Sequence, residues 1–129
     1  MEKVTNITND FKISAIGRFI PERSNKDIPI FFFAYWITIT NLSNKTAQLL
    51  NRYWHITDAD GRINEINGEG VIGKQPYFKP NQSFKYNSFC PLPTKFGFMS
   101  GHYEMIDDKK HKFKIIIPQF CLSSPNSAN

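Results

Sequence analysis

The sequence predicts an all-β fold, an antiparallel β-sandwich of about seven strands. Three features carry that reading. Phe, Tyr and Trp make up 15% of the 129 residues, with 12 Phe among them, and such side chains fit a pleated, half-buried surface. Apolar residues alternate with period two, and no stretch of a dozen residues keeps a helical period. Turn-forming residues recur every ten residues or so, which suits short strands joined by tight connections.

The expected strands follow in order. Residues 10–20 form the first. Residues 30–40 place Phe31, Phe33, Tyr35, Ile37 and Ile39 on one face and Phe32, Ala34, Trp36, Thr38 and Thr40 on the other. Both faces are partly apolar, as in a central strand. Asn41-Leu42-Ser43-Asn44 is turn chemistry. Residues 47–57 put Leu50, Trp54 and Ile56 on one side, and Asp58-Ala59-Asp60-Gly61 then supplies a hairpin, since Gly after Asp tolerates positive φ. Residues 62–66 return, 68–73 are a glycine-rich loop, and Lys79-Pro80-Asn81-Gln82 is a further turn. Strands at 83–89 and 96–106 flank a connection marked by Pro91 and Pro93. After Asp107-Asp108-Lys109, residues 110–117 alternate Lys110, Lys112 and Lys114 with apolar partners. Gly101-His102-Tyr103-Glu104-Met105 sets a Tyr two residues before a buried-type residue on a late strand. That is the spacing of the tyrosine corner, with Met105 in the place of the second Cys and Trp54 able to pack against it. The spacing supports an immunoglobulin/fibronectin-III-like sandwich, and a plain alternating strand accounts for it as well.

The length is that of one domain with its own core. The net charge of +5 could attract nucleic acid, phosphates or anionic membranes, but a solvated basic surface explains it as well. Cys90 and Cys121 have no CxxC spacing and read as two free thiols in a reducing compartment. Residues 1–10 contain no apolar signal-peptide region. The apolar run 28–39 is too short to span a bilayer and is interrupted by Pro29 and Thr38. These features point to a cytoplasmic protein without a membrane partner.

Gly68-Glu69-Gly70-Val71-Ile72-Gly73 matches GxGxxG. A dinucleotide fold needs a helix after that motif and an acidic residue about twenty positions on. Here Pro76 and Pro80 block the helix, and no Asp or Glu occurs between Gly70 and Tyr103. Two readings stay open: glycines serving an irregular backbone, or a nest of N–H groups at Gly68, Gly70 and Gly73, with Lys74 beside it, for a phosphate-containing anion. His55, Asp58 and Asp60 are candidate metal ligands, set against the plain use of Asp in hairpins. His102 and Glu104 share a strand face but lack a third ligand. No hydrolase elbow, CxxC or HExxH occurs, and Cys90 between Phe89 and Pro91 reads as a buried thiol. No catalytic residue and no cofactor is indicated. Nucleic-acid binding through Lys110, Lys112 and Lys114 is disfavoured, because a lysine-out, core-in strand accounts for the row.

Certain motifs in sequence bear a family resemblance. They are Phe33-Ala34-Tyr35-Trp36-Ile37-Thr38-Ile39, Asn41-Leu42, Gln48-Leu49-Leu50, residues 52–58, the glycine motif with Gln75-Pro76, residues 101–105 and Ile117-Pro118. From about Val4 to Leu122 the chain resembles bacterial ApaG proteins. The resemblance implies a fibronectin-III/immunoglobulin-like domain over residues 1–122; residues 123–129, mostly Ser, Pro and Asn, read from their composition as a flexible tail. It implies no enzymatic activity. It also implies a non-catalytic binding module with protein partners, an association with cobalt and magnesium homeostasis, and, as an alternative, nucleotide or pyrophosphate binding at Gly68, Gly70 and Gly73. Asn81 stands where the family commonly has Gly. A homodimer stays open, since sandwiches with exposed edges often pair.

Overall fold

The computed structural model describes residues 2–24 and 27–125. Among them are nine strands: β1 (Val4–Thr8), β2 (Phe11–Phe19), β3 (Phe31–Asn41), β4 (Ala47–Asp58), β5 (Ile63–Glu69), β6 (Tyr77–Phe78), β7 (Ser83–Leu92), β8 (Phe96–Asp107) and β9 (Lys112–Ser123). A 3-10 turn, Pro21–Arg23, lies between β2 and β3. No helix among the described residues is long and apolar enough to cross a membrane.

Two antiparallel sheets form the sandwich, ordered β1-β2-β3-β7 and β5-β4-β8-β9, with β6 paired to the start of β4. Strands β2, β3 and β7 take the places of A, B and E of an immunoglobulin domain, and β4, β8 and β9 those of C, F and G. The strand after C stays beside C. The alternation expected of β3 is realised: Phe33, Tyr35, Ile37 and Ile39 are buried while Trp36 faces outward.

Two strands escaped the expectation, and several boundaries moved. β1 folds back on β2 through Asn9-Asp10, both at positive φ (48° and 62°); short polar side chains tolerate this conformation in a two-residue turn. β7 continues past Phe89 through Pro91 to Leu92, because at the sheet edge a missing N–H costs no ladder bond. β5 continues to Glu69, so Gly68 is strand rather than loop. β9 runs on to Ser123 across a register shift opposite Met99/Gly101. The bulge admits Pro118 and switches the inward set from Ile115 and Ile117 to Phe120 and Leu122. Ser124 is buried and donates its N–H to the Lys95 carbonyl (2.9 Å), so the expected tail begins within the packed structure. Residues 126–129 lie outside the described set.

A bulge also corrects the phase of β4. Leu50 was expected to face inward with Trp54 and Ile56. The register shifts between Leu49 and Asn51, so Leu49 is fully buried and Leu50 is not, while Trp54 and Ile56 point inward as expected.

The tyrosine corner is not formed as expected. Tyr103 is fully buried, but its hydroxyl is 2.5 Å from that of Tyr86 on β7, a side-chain partner across the sandwich rather than an upstream backbone group. Trp54 stands opposite Gly101, and Leu49 opposite Met105. Trp54 packs edge-on against Tyr35 and Phe120. Gly101 is required there, because a Cβ would lie 1.9 Å from the Tyr53 carbonyl oxygen.

Candidate functional site

Each candidate drawn from the sequence lies on the β5-β4-β8-β9 sheet or on its loops. The glycine motif begins in β5 and ends in a tight hairpin. Val71 and Lys74 exchange both backbone bonds (2.8 and 2.9 Å), and the two residues between them, Ile72 and Gly73, both have positive φ (43° and 76°). The loop is fastened to the bulge in β4: Gly70 N–H and Gln75 Nε2 both donate to the Leu50 carbonyl, at 2.8 and 3.0 Å. Leu49 N–H donates to the Pro76 carbonyl (3.0 Å). Val71 is fully buried in the core. The amides of Gly70, Val71 and Lys74 thus have protein acceptors and do not converge outward on a common point, as a nest requires.

The glycines have separate local reasons. At Gly70 a Cβ would sit 2.2 Å from the Lys74 carbonyl oxygen, and at Gly68 it would sit 2.5 Å from the guanidinium carbon of Arg52. Arg52 lies across Gly68 and donates from Nη1 to the carbonyls of Glu69 and Gly70, both at 3.0 Å. Gly73 faces open space.

The metal candidates separate. Asp58 is buried, and its Oδ1 accepts the N–H groups of Asp60 (2.9 Å) and Arg62 (3.0 Å). Asp60 is exposed and pairs with Arg62 at 3.8 Å. His55 is three residues before Asp58 on β4, so the two point to opposite faces. Among the described residues no group of three His, Cys, Asp or Glu side chains could hold a metal ion. The role of Asp58 is repeated at Asp107. There Oδ1 accepts from Lys109 and His111, Asp107 N–H bonds the His111 carbonyl, and Lys110 takes the positive φ (67°) that Gly61 takes in the first hairpin (83°). The backbone N–H groups of His111 and Lys109 hold the Asp107 carboxyl below its usual range, the His111 bond foremost.

One open groove gathers part of the expected set. It has a volume of about 490 Å³, and its lining includes Gly68, Arg52, Asn67, His102, Glu104 and Lys114. His102 stacks on Tyr53 with ring centroids 4.9 Å apart. Desolvation, then the Lys114 charge, lowers the His102 pKa against a smaller opposing pull from Glu104. Asn51 Nδ2 donates to Glu104 Oε1 (2.9 Å). Gly70, Gly73 and Lys74 are not part of the lining. The expected lysine row is also shortened: Lys110 is in the turn, leaving Lys112 and Lys114 on β9. The outer edge of β9 is covered by the β1–β2 turn, where Asn9 Nδ2 donates to the Lys114 carbonyl (2.7 Å).

Neither thiol is placed for nucleophilic work. Both cysteines are free, and burial pushes Cys90 up to about 11 and raises Cys121 as well; a thiol so shifted is protonated at neutral pH.

A surface that no candidate site residue pointed to lies on the outer face of the other sheet. Trp36 and Phe89 are 40% and 50% exposed there. The Arg23 guanidinium lies 4.9 Å from the centroid of Phe32 and 5.3 Å from that of Phe89. Outward alternation of β3 was readable beforehand. That β2 and β7 flank it, and that the 3-10 turn folds over it, was not.

The two sheets define a small β-sandwich of the immunoglobulin/fibronectin-III kind. The sequence profile of the ApaG domain matches residues 21–107. The chain is 46% identical over 123 residues to Protein ApaG of Beijerinckia indica subsp. indica, covering 95% of each, and 47% identical over 119 residues to that of Methylocella silvestris, covering 92% of each. The crystal structure of the putative ApaA protein from Bordetella pertussis superposes with a TM-score of 0.87 at 38% identity, over 92% of this chain and 96% of that one. The chain belongs to the ApaG family.

Proposed function

We propose that the chain is a non-catalytic protein-binding module of the cytoplasm. One observation carries the reading: two outward-facing aromatic side chains of the β1-β2-β3-β7 sheet, Trp36 and Phe89, are about half-exposed. Exposed apolar clusters of this kind mark interaction sites. The association with cobalt and magnesium rests on the family resemblance. In this reading it runs through a protein partner, because His55, Asp58 and Asp60 do not converge. Affinity capture with the full chain as bait, under cross-linking, tests the proposal. Recovery of a defined protein that also binds the purified chain supports it; no such protein across growth conditions overturns it.

A second reading keeps the phosphate-containing anion but moves it from the loop to the groove, where Gly68 lies with Arg52, His102 and Lys114. Pyrophosphate, a diadenosine polyphosphate and a nucleotide are the probes. A ligand that binds only the native state raises its stability. A melting shift that Lys114→Ala abolishes supports this reading, and no shift at millimolar concentration removes it.

A further inference from the structure

The two sheets differ in charge. The four strands of the β1-β2-β3-β7 sheet contain no Asp or Glu, while Lys12, Arg18 and Lys85 all occupy outward positions. The strands of the other sheet contain Asp58, Glu65, Glu69, Glu104 and Asp107. The register lays out the outer face of the acid-free sheet in rows. Ile16 stands beside Trp36 and Asn87; Arg18 beside Ala34 and Phe89; Ser14 beside Thr38 and Lys85. Ala34 points outward yet is only 2% exposed, so the longer side chains around it close over it. A depression of about 450 Å³ is lined by Ile16, Gly17, Arg18 and Trp36. The β1 ladder reaches only Ala15, leaving Ile16–Phe19 without a strand on that side among the described residues.

We propose that this face is a docking surface for an acidic segment of a partner protein, one that presents an aliphatic or aromatic side chain between Asp or Glu residues. This rests on the module reading above and names its surface and the chemistry of its partner. The apolar anchor enters the depression beside Trp36, and the flanking carboxylates meet Arg18 and Lys85. Arg23 supplies a third cation, held in place over Phe32 and Phe89. The strands of this face carry bases and no acids, and Glu22 in the covering turn is one acid against Arg18, Arg23 and Lys85; the positive balance attracts carboxylates and repels a second copy of itself, so charge complementarity selects an acidic partner over a homodimer. Nucleic acid fits less well. Stacking needs several free ring faces, and two of the three rings here already carry Arg23.

The test is panning of a random twelve-residue peptide display library on the immobilised full chain, with a single-stranded oligonucleotide and anionic vesicles assayed in parallel. Enriched peptides should combine Asp or Glu with a Leu, Phe or Trp, and should change the fluorescence of Trp36, checked by its loss in Trp36→Phe. The double variant Arg18→Glu/Lys85→Glu should bind the same peptides roughly tenfold more weakly or worse, as exposed charge pairs reverse sign. Its unfolding curve should match the parent. Lys114→Ala, on the opposite face, should bind like the parent. Enrichment without acidic bias overturns the inference, as does binding indifferent to the double variant or binding confined to the oligonucleotide or vesicles. If panning fails while cellular capture still returns a partner, the module reading stands and this surface does not; failure of both removes both.

Discussion

Substituting Ala singly for Gly68, Gly70 and Gly73 separates a structural role for the motif from a shared ligand role. If the glycines formed one anion nest, the three substitutions would resemble one another. The geometry demands three different costs. At Gly73 the new Cβ meets nothing within 4 Å, and only the positive φ of 76° is strained, a cost of about 1 kcal/mol. At Gly68 φ is ordinary, and the Cβ displaces the end of a flexible Arg52 side chain that makes two bonds to carbonyls. The site is half-exposed and water replaces part of what is lost, so about 1–2 kcal/mol is expected. At Gly70 the positive φ of 63° adds to a clash of 2.2 Å with a backbone oxygen that cannot rotate away. Relief must part the Val71–Lys74 bonds at about 1 kcal/mol each and strain the φ as well, for about 3–4 kcal/mol in all. Urea unfolding of the three variants, with slopes compared to exclude a changed denatured state, reads the order directly. Gly70 should be the most costly by at least 1 kcal/mol over Gly73. Equal costs at all three, or Gly73 as the worst, would refute this account of the loop.

Two residues carry left-handed backbone that another side chain would tolerate better. Ile72→Asn places Asn-Gly in the two-residue turn, and Lys110→Gly gives the second hairpin the residue that the first has at Gly61; each should stabilise by about 0.5–1 kcal/mol in the same unfolding assay. The buried hydroxyl pair should couple: Tyr86→Phe or Tyr103→Phe leaves one hydroxyl unpartnered at about 1–3 kcal/mol, whereas the double variant should cost less than the sum in a double-mutant cycle. His102 should titrate below its unfolded value, by NMR, and Lys114→Ala should move it upward. The sign for stability follows, because the unfolded chain takes the proton first. The His102 contribution is intact above an unfolded pKa of about 6.5 and is lost as pH falls through that value toward the lower folded one. For Asp107 the folded value is the depressed one, so its contribution holds above the unfolded carboxyl pKa and fades as pH falls through the folded value, a fade that Asp107→Asn should abolish.

Period-two alternation made β3 legible to the residue, because both its neighbours pair with it in unbroken register. It failed at Leu50 in β4 and stopped at Ile117 in β9 for one reason. A bulge adds a residue and inverts the phase, and neither Leu50 nor Pro118 carries a side-chain signal that distinguishes a bulge from a regular position. Turns headed by Asp were visible, but not that Asp58 and Asp107 build the same hairpin, since Lys110 occupies the position that a glycine advertises at Gly61. Asn81 is the converse case: its φ of 69° is one that Gly adopts freely and that Asn tolerates. Asn41 was read as turn chemistry, yet it is fully buried. Its Nδ2 donates to the carbonyls of Lys45 and Phe78, and its Oδ1 accepts from Ser43. A hub of that kind depends on Phe78, thirty-seven residues away in the chain, and no local pattern contains that distance.

The same dependence on distant pairing explains why the sites were harder to read than the fold. The glycine motif drew attention because its residues are adjacent in sequence, and adjacency served a hairpin. The aromatic-basic face is assembled from β2, β3 and β7, whose contributing residues Arg18, Trp36 and Phe89 are far apart in the chain. It becomes a surface only once the register aligns them. It also lies on the opposite side of the core from the groove at Gly68 and His102, with no residue in common. Substitutions on the two surfaces should therefore act additively on binding and on stability, as separated sites do. A partner on one face and a small anion in the groove would not compete for any side chain. Linkage between them, measured as a change in peptide affinity on adding pyrophosphate, would have to pass through the packed tyrosines and Trp54 between the sheets. Those rings are buried, packed edge-on or hydrogen-bonded to one another, so the peptide affinity should not change.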